Sequence, residues 1–160
     1  MKGDRMTAIQ DTYEERFAHC FGCGAKNEKG LHLKSYPNEE GDKCILKFTP
    51  DESFTGGIPG NLYGGMTAMA FDCHGTASAA WFFHRAKGHS LTDGSSLKRF
   101  ITARLEIDYK KPVPMGEEVT VIAAADEIGE RKVIVEMMLE AAGELRAKAR
   151  MVAVAVKDDM

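Results

Sequence analysis

The chain has 160 residues, of which 44% are hydrophobic and 28% charged, and its formal net charge is -3. This composition is typical of one globular domain that is large enough to bury a core without disulfides. The small negative charge gives no reason to expect a nucleic-acid or membrane partner, and residues 1–7 lack the apolar core of a secretory signal, so we expect a cytoplasmic protein.

The N-terminal part combines a polar arm with a pair of cysteines. Residues 1–16 predict a loose arm or short helix ahead of a single domain over residues 17–160. Cys20 and Cys23 have the spacing of half a zinc knuckle, but no second CxxC pair completes four ligands. We therefore favour a tight glycine-rich loop with reduced thiols over a zinc site and predict no metal ligands. A thioredoxin-like redox role is less favoured, because no strand precedes the pair.

Two alternating segments come next and predict a β-hairpin. Residues 31–36 and 43–49 alternate between apolar and polar side chains, and residues 37–42 between them are rich in turn formers. A loop rich in glycine and proline, residues 54–61, then leads into the central segment.

The central segment, residues 64–83, predicts a helix that is buried on nearly all sides, since it has no proline, few charges and many small residues. Asp72 lies in its middle, where burial of an unpaired carboxylate would be costly, so we expect Asp72 to have a chemical role or a partner. Gly64 and Gly65 open the helix, where the first N–H groups lack internal acceptors and lie at the positive end of the dipole. This combination favours a hydrolase or lyase that acts on a carbonyl group.

The rest of the chain predicts a polar loop and then only strands. The loop covers residues 87–97. The strands are predicted at residues 101–109, 119–125, 133–139 and 145–156. Their order indicates two strands, one long helix and a four-strand antiparallel meander, and an apolar helix of this kind packs well inside a curved sheet.

Three groups of residues, taken together, resemble a known family. They are Cys20-Phe21-Gly22-Cys23-Gly24 followed by Asn27 and Gly30-Leu31, the Gly64-Gly65 helix start with Asp72, and the strand end Tyr109-Lys110-Lys111-Pro112-Val113-Pro114. From about residue 19 onward the chain resembles the hot-dog fold acyl-CoA thioesterases of the phenylacetate-degradation type. The resemblance implies an α+β hot-dog fold, a long central helix wrapped by a curved antiparallel sheet. It also implies an acyl-CoA substrate, no cofactor, and a homodimer or a dimer of dimers.

The resemblance also implies catalytic roles. It places the catalytic carboxylate at Asp72, as a base on water or as a nucleophile on the thioester carbonyl. Gly64 would stabilise the oxyanion through its N–H, and Gly65 would let the substrate approach closely. Thr76 lies one turn along the helix and would orient the water, although a helical threonine often bonds to its own backbone.

Four residues are assigned to substrate binding: Asn61, Tyr63, Gly65 and Thr102. Asn61 has the alternative of capping a turn. We rank Thr102 below Thr76, because alternation places it on a face that reads as exposed to solvent. The family usually has His-Gly-Gly at the helix start, whereas this chain has Tyr63, which can donate a hydrogen bond but cannot act as a base near neutral pH.

The sequence therefore predicts an acyl-CoA thioesterase that needs no metal or redox cofactor. One alternative is a hot-dog hydratase acting on enoyl-CoA, which would need an Asp–His pair that the helix start lacks. The other is a non-catalytic acyl-CoA-binding module, which stays an alternative because Tyr63 stands in place of the family's histidine.

Gly64 and Asp72 lie about 12 Å apart along one helix, so we expect a site shared between two antiparallel helices of a dimer. His74 points away from Asp72 and is interpreted as a core residue.

Overall fold

The computed structural model describes residues 2–159. Within that range the helices are α1 (Lys2–Arg5), α2 (Gly64–Ala86) and short 3-10 helices at Ile9–Thr12, Glu15–Phe17 and Glu52–Phe54. The strands are β1 (Ser35–Pro37), β2 (Lys43–Phe48), β3 (Phe100–Tyr109), β4 (Val119–Ile128), β5 (Lys132–Ala141) and β6 (Glu144–Ala155). The predicted long helix, hairpin and four later strands are thus all present, although β1 is shorter than predicted.

The six strands form one open antiparallel sheet in the order β1-β2-β4-β5-β6-β3. The predicted meander of four consecutive strands is wrong, because only β4, β5 and β6 follow one another, while β3 pairs with β6 at the far edge. The hairpin strand β2 pairs with β4 instead. Alternation along the chain identifies a strand by its local pattern, but the partner of a strand depends on how the whole sheet covers the helix.

Helix α2 packs against the sheet and fills the centre of the molecule. Residues 73–82 are buried without exception. At Gly75 a Cβ atom would lie 2.5 Å from the Cε of Met151, so the absence of a side chain leaves room for the end of the Met151 side chain, which reaches the helix from β6. In the part of the chain that is described, no helix is long and apolar enough to cross a membrane.

A buried hydrogen-bond network connects α2 with the first strands and the N-terminal segment. The His74 ring bonds through Nδ1 to Ser35 Oγ at 2.8 Å and through Nε2 to the Cys44 carbonyl at 3.1 Å. Gln10 in turn donates to Ser35 Oγ at 3.0 Å and accepts from the Ser35 amide at 2.8 Å. Both nitrogens of His74 are therefore satisfied, which confirms its interpretation as a core residue.

The N-terminal segment packs onto this core. Ile9 is fully buried, and the buried Asp4 accepts a hydrogen bond from the Leu91 amide at 2.6 Å. The polar composition of residues 1–16 gave no sign of these contacts. The division of the chain at residue 16 stays a prediction.

Candidate functional site

Asp72 lies at an opening in the covering of α2. Between residues 66 and 84 it is the one exposed residue, and the other residues of this stretch are buried or partly buried. The expectation of a buried carboxylate is therefore wrong for the single chain: the sheet and the N-terminal loop cover the helix on either side of Asp72 but not over it. An exposed carboxylate in a small pocket of about 160 Å³ is accessible to a substrate or to water.

Thr102 holds this carboxylate. Its Oγ1 donates a hydrogen bond to Asp72 Oδ1 at 2.5 Å. The sequence had placed Thr102 on an exposed face, but a register shift between Thr102 and Arg104 reverses the alternation of β3. Among residues 2–159 no group donates to Oδ2 of Asp72, so this oxygen can receive a proton from a bound water.

The hydroxyl of Thr76 bonds to the backbone of its own helix. Its Oγ1 donates to the Asp72 carbonyl at 3.2 Å and to the Cys73 carbonyl at 3.3 Å, both within the same helix. This is the back-bonding alternative for a helical threonine. Thr76 still lines the pocket beside Asp72, as Thr102 does.

Two tyrosines flank the start of α2. Tyr63 precedes the helix with an extended backbone, and its ring lies over Gly65, where a Cβ would be only 2.1 Å from a ring carbon. The Tyr109 hydroxyl donates to the Gly64 carbonyl at 2.9 Å. In the described chain neither the Gly64 nor the Gly65 amide has a hydrogen-bond acceptor, so two donors are free at the positive end of the helix dipole. The contact of Tyr109 with Gly64 was not predicted, because no local pattern connects the end of β3 with this helix start.

Asn61 lies just before the helix in a partly buried turn. Its amide donates to the Ile58 carbonyl at 3.3 Å, and its carbonyl accepts from the Gly56 amide at 2.7 Å. Asn61 also forms an isolated bridge with Pro114, which follows β3. These are backbone contacts, so a contact between the Asn61 side chain and a substrate stays a prediction.

The structure does not bring the helix start and Asp72 together within one chain. Both lie on α2, eight positions apart, and a helix rises about 1.5 Å per residue, so roughly 12 Å separates them along the axis. Each chain thus presents two separate groups of candidate residues, one at Gly64 and one at Asp72.

Three cysteines meet beside Asp72. The sulfur atoms of Cys20, Cys23 and Cys73 all lie within 4.8 Å of one another, and the first and last are 3.9 Å apart. Hydrogen bonds from the thiols of Cys23 and Cys73 lower the pKa of Cys20, whereas hydrogen bonding to Cys20 raises the pKa of Cys23 to about 12 and also raises that of Cys73. The sequence showed only the CxxC pair, because Cys73 is fifty residues further along the chain and joins the pair only in the fold.

A larger hollow with a basic rim adjoins the pocket of Asp72. It has a volume of about 690 Å³ and lies at the end of β6, with Arg131, Lys132 and Lys157 among its lining residues. Ile101 lines both this hollow and the pocket of Asp72, so the two are neighbours.

Comparison with known proteins identifies relatives of the chain. The thioesterase superfamily matches residues 59–148, more than half of the sequence. The crystal structure of a thioesterase superfamily protein from Shewanella loihica PV-4 is 36% identical and has a TM-score of 0.66, with 91% of this chain and 100% of that chain covered. No curated protein matches this sequence.

More distant solved structures share the fold alone. The PaaI protein from the phenylacetic acid degradation operon of E. coli is 12% identical with a TM-score of 0.59, and 72% of this chain and 74% of that chain are covered. The smu.793 protein from Streptococcus mutans UA159, bound to acetyl CoA, is 14% identical with a TM-score of 0.57, and the coverage is 72% and 82%. These neighbours confirm the predicted hot-dog fold.

Proposed function

The chain belongs to the thioesterase superfamily, and from this premise we propose that it hydrolyses acyl-CoA thioesters with Asp72 as the base that activates water. The observation that carries the proposal is the environment of the Asp72 carboxylate. Its carboxylate is exposed in a pocket, one oxygen is held by Thr102, and the other is free. A general base needs this combination of fixed orientation and access to the reacting water.

The chemistry follows from these groups. Asp72 takes a proton from a water molecule as the water oxygen attacks the thioester carbonyl carbon. The developing oxyanion needs hydrogen-bond donors, and the free amides at Gly64 and Gly65 are suitable donors. Collapse of the tetrahedral intermediate breaks the carbon–sulfur bond, the thiolate takes up the proton, and a carboxylic acid and free coenzyme A are released.

A second copy of the chain is needed to complete this site. An oxyanion donor must lie about 3 Å from the carbonyl oxygen, whereas Gly64 and Asp72 of one helix are separated by roughly 12 Å. Two antiparallel helices related by a two-fold axis place the start of one beside the middle of the other. We therefore assign Gly64 from one protomer and Asp72 from its partner to each site.

The exposed edge of the sheet supports the same dimer. Strand β3 lies at the edge, it is ten residues long, and no strand pairs with its outer side in the described chain. Ile101 is 39% exposed and Tyr109 is 56% exposed on this strand. A long unpaired edge with exposed apolar side chains is a site where another strand can add, and β3 also carries Thr102 of the candidate site.

The basic hollow offers a place for the phosphates of coenzyme A. Phosphate groups bind where arginine and lysine side chains converge, and Arg131, Lys132 and Lys157 line the hollow next to the pocket of Asp72, together with one carboxylate, Asp159. Binding of acetyl CoA by a protein of the same fold supports this assignment. Reversing the charge of Arg131 and Lys157 together should raise KM for acyl-CoA and leave kcat nearly unchanged.

Free thiol release from a panel of acyl-CoAs tests the proposed activity. Wild type should release thiol from at least one of them, and Asp72→Asn should be slower by roughly a hundredfold or more, as is typical when a general base is removed. Asp42→Asn is the matched control, because Asp42 is exposed in the turn between β1 and β2 and should leave the rate unchanged. Binding of acyl-CoA without release of thiol would favour the non-catalytic binding module, and activity of Asp72→Asn within a few-fold of wild type would refute the role of Asp72.

Mixing two inactive variants tests the shared site. Asp72→Asn lacks the base, and Gly64→Pro lacks the amide donor. Proline is tolerated at the first position of a helix, and the extended backbone of Tyr63 suits a residue that precedes proline. Subunit exchange should rebuild one intact site per mixed dimer and restore activity. If exchange is verified by mass spectrometry and activity does not return, the two groups do not come from different chains.

A further inference from the structure

The cluster of Cys20, Cys23 and Cys73 has the dimensions of a metal site. In tetrahedral coordination with zinc–sulfur bonds of about 2.3 Å, neighbouring sulfur atoms lie about 3.8 Å apart. Here the Cys20 and Cys73 sulfurs are 3.9 Å apart and all three sulfurs lie within 4.8 Å of one another. Small side-chain rotations would therefore bring three sulfurs to coordination distance of one ion.

The loop that carries the first two cysteines is held tightly against α2. A Cβ at Gly22 would lie 2.4 Å from the Cys73 sulfur, so only glycine allows the loop to approach the helix this closely. The loop is closed by hydrogen bonds from the Gly24 amide to the Cys20 carbonyl at 2.7 Å and from the Leu33 amide to the Gly22 carbonyl at 3.0 Å. These contacts fix the positions of the three sulfurs without the help of an ion.

The surroundings suit an ion held by three thiolates. Three thiolates and one Zn²⁺ carry a net charge of about -1, and Arg99 lines the same pocket and can offset it. No fourth histidine, cysteine or carboxylate ligand belongs to the cluster in the described part of the chain. The fourth position of a tetrahedral ion would thus face the pocket that contains Asp72 and Thr102.

We propose that Cys20, Cys23 and Cys73 form a binding site for a thiophilic cation, Zn²⁺, with one coordination position open to the pocket. Thiolate ligands select zinc over the harder magnesium and calcium ions. The ion would connect the N-terminal loop to the middle of α2, directly beside Asp72. A disulfide between two of the cysteines is the competing outcome, but it would use only two of the three sulfurs that lie within 4.8 Å of one another.

The test uses the full chain, purified under reducing conditions and freed of metal with a chelator. Titration with Co²⁺, a spectroscopic substitute for Zn²⁺, should produce the near-ultraviolet absorption of cobalt–thiolate bonds and saturate at about one ion per chain. Zn²⁺ should then displace Co²⁺ and remove the absorption. Cys20→Ser and Cys73→Ser should each weaken Zn²⁺ binding at least tenfold in competition with a colorimetric chelator.

Cys44→Ala is the matched control. Cys44 is buried in β2 and is not part of the cluster, so this variant should bind Co²⁺ like wild type. Circular dichroism checks that each variant folds, and Cys20→Ser is the variant least sensitive to packing, because Cys20 is exposed. The proposal is overturned if the reduced wild type shows no cobalt–thiolate absorption, if Cys73→Ser binds as tightly as wild type, or if the only change found is a disulfide after oxidation.

Discussion

Acid should destabilise the folded protein through His74. The ring lies fully buried between Ser35 and the Cys44 carbonyl, and no charged group is among its hydrogen-bond partners. Burial lowers the pKa of His74 from its ordinary 6.5 to about 4, and the hydrogen bond to Cys44 opposes this only in part. In the folded state the imidazole therefore stays neutral over a pH range in which the unfolded chain binds a proton.

The sign and size of the effect follow from this difference. Since the unfolded state binds more protons between pH 6.5 and 4, the free energy of unfolding rises with pH across this window. Each pH unit corresponds to about 1.4 kcal/mol, so His74 should account for a loss of about 3 kcal/mol between pH 6.5 and pH 4. Below pH 4 both states are protonated and the contribution of His74 changes no further.

Urea unfolding at several pH values measures this loss. The single tryptophan, Trp81, is a suitable fluorescent probe, because it is buried and its indole N–H donates to the Gly41 carbonyl at 2.9 Å. His74→Gln removes this titration. On going from pH 7 to pH 4, the unfolding free energy of wild type should therefore fall by about 3 kcal/mol relative to that of the variant. His19→Gln is the control, since His19 is exposed and its ring is not engaged in the core, and it should follow the wild-type curve. A difference between wild type and His74→Gln that is constant with pH would refute the reasoning.

Two further predictions concern the site and the core. Thr102→Val should lower kcat about tenfold with little change in KM, because it removes the hydrogen bond that orients the candidate base, whereas Thr76→Val should stay within a few-fold of wild type. Steady-state kinetics with acyl-CoA measure kcat of both variants. A lower kcat for Thr76→Val than for Thr102→Val would show that Thr76 is the more important of the two threonines. Gly75→Ala should destabilise the fold by about 1–3 kcal/mol in urea, because its Cβ would meet Met151 at 2.5 Å. At Gly57 an added Cβ would have no atom within 4 Å, so Gly57→Ala should leave the free energy of unfolding nearly unchanged. Equal losses of stability in the two variants would contradict the packing argument.

Local sequence patterns are enough to define the helices and strands and the main candidate residues. Small apolar residues without proline define one long helix, alternation defines the strands, and the double glycine with Asp72 marks the residues on which the proposed chemistry depends. These features are local, since they depend on the periodicity and backbone freedom of adjacent residues.

Which of these residues meet depends on the packing of the whole chain. Strand β3 crosses to the far edge of the sheet, and its bulge turns Thr102 toward Asp72, so a residue that alternation assigned to solvent holds the carboxylate. The same packing leaves Asp72 exposed instead of buried and brings Cys73 to the CxxC loop. Contacts between residues far apart in the chain follow from strand order and from a single register shift, and neither of these is encoded in a local pattern.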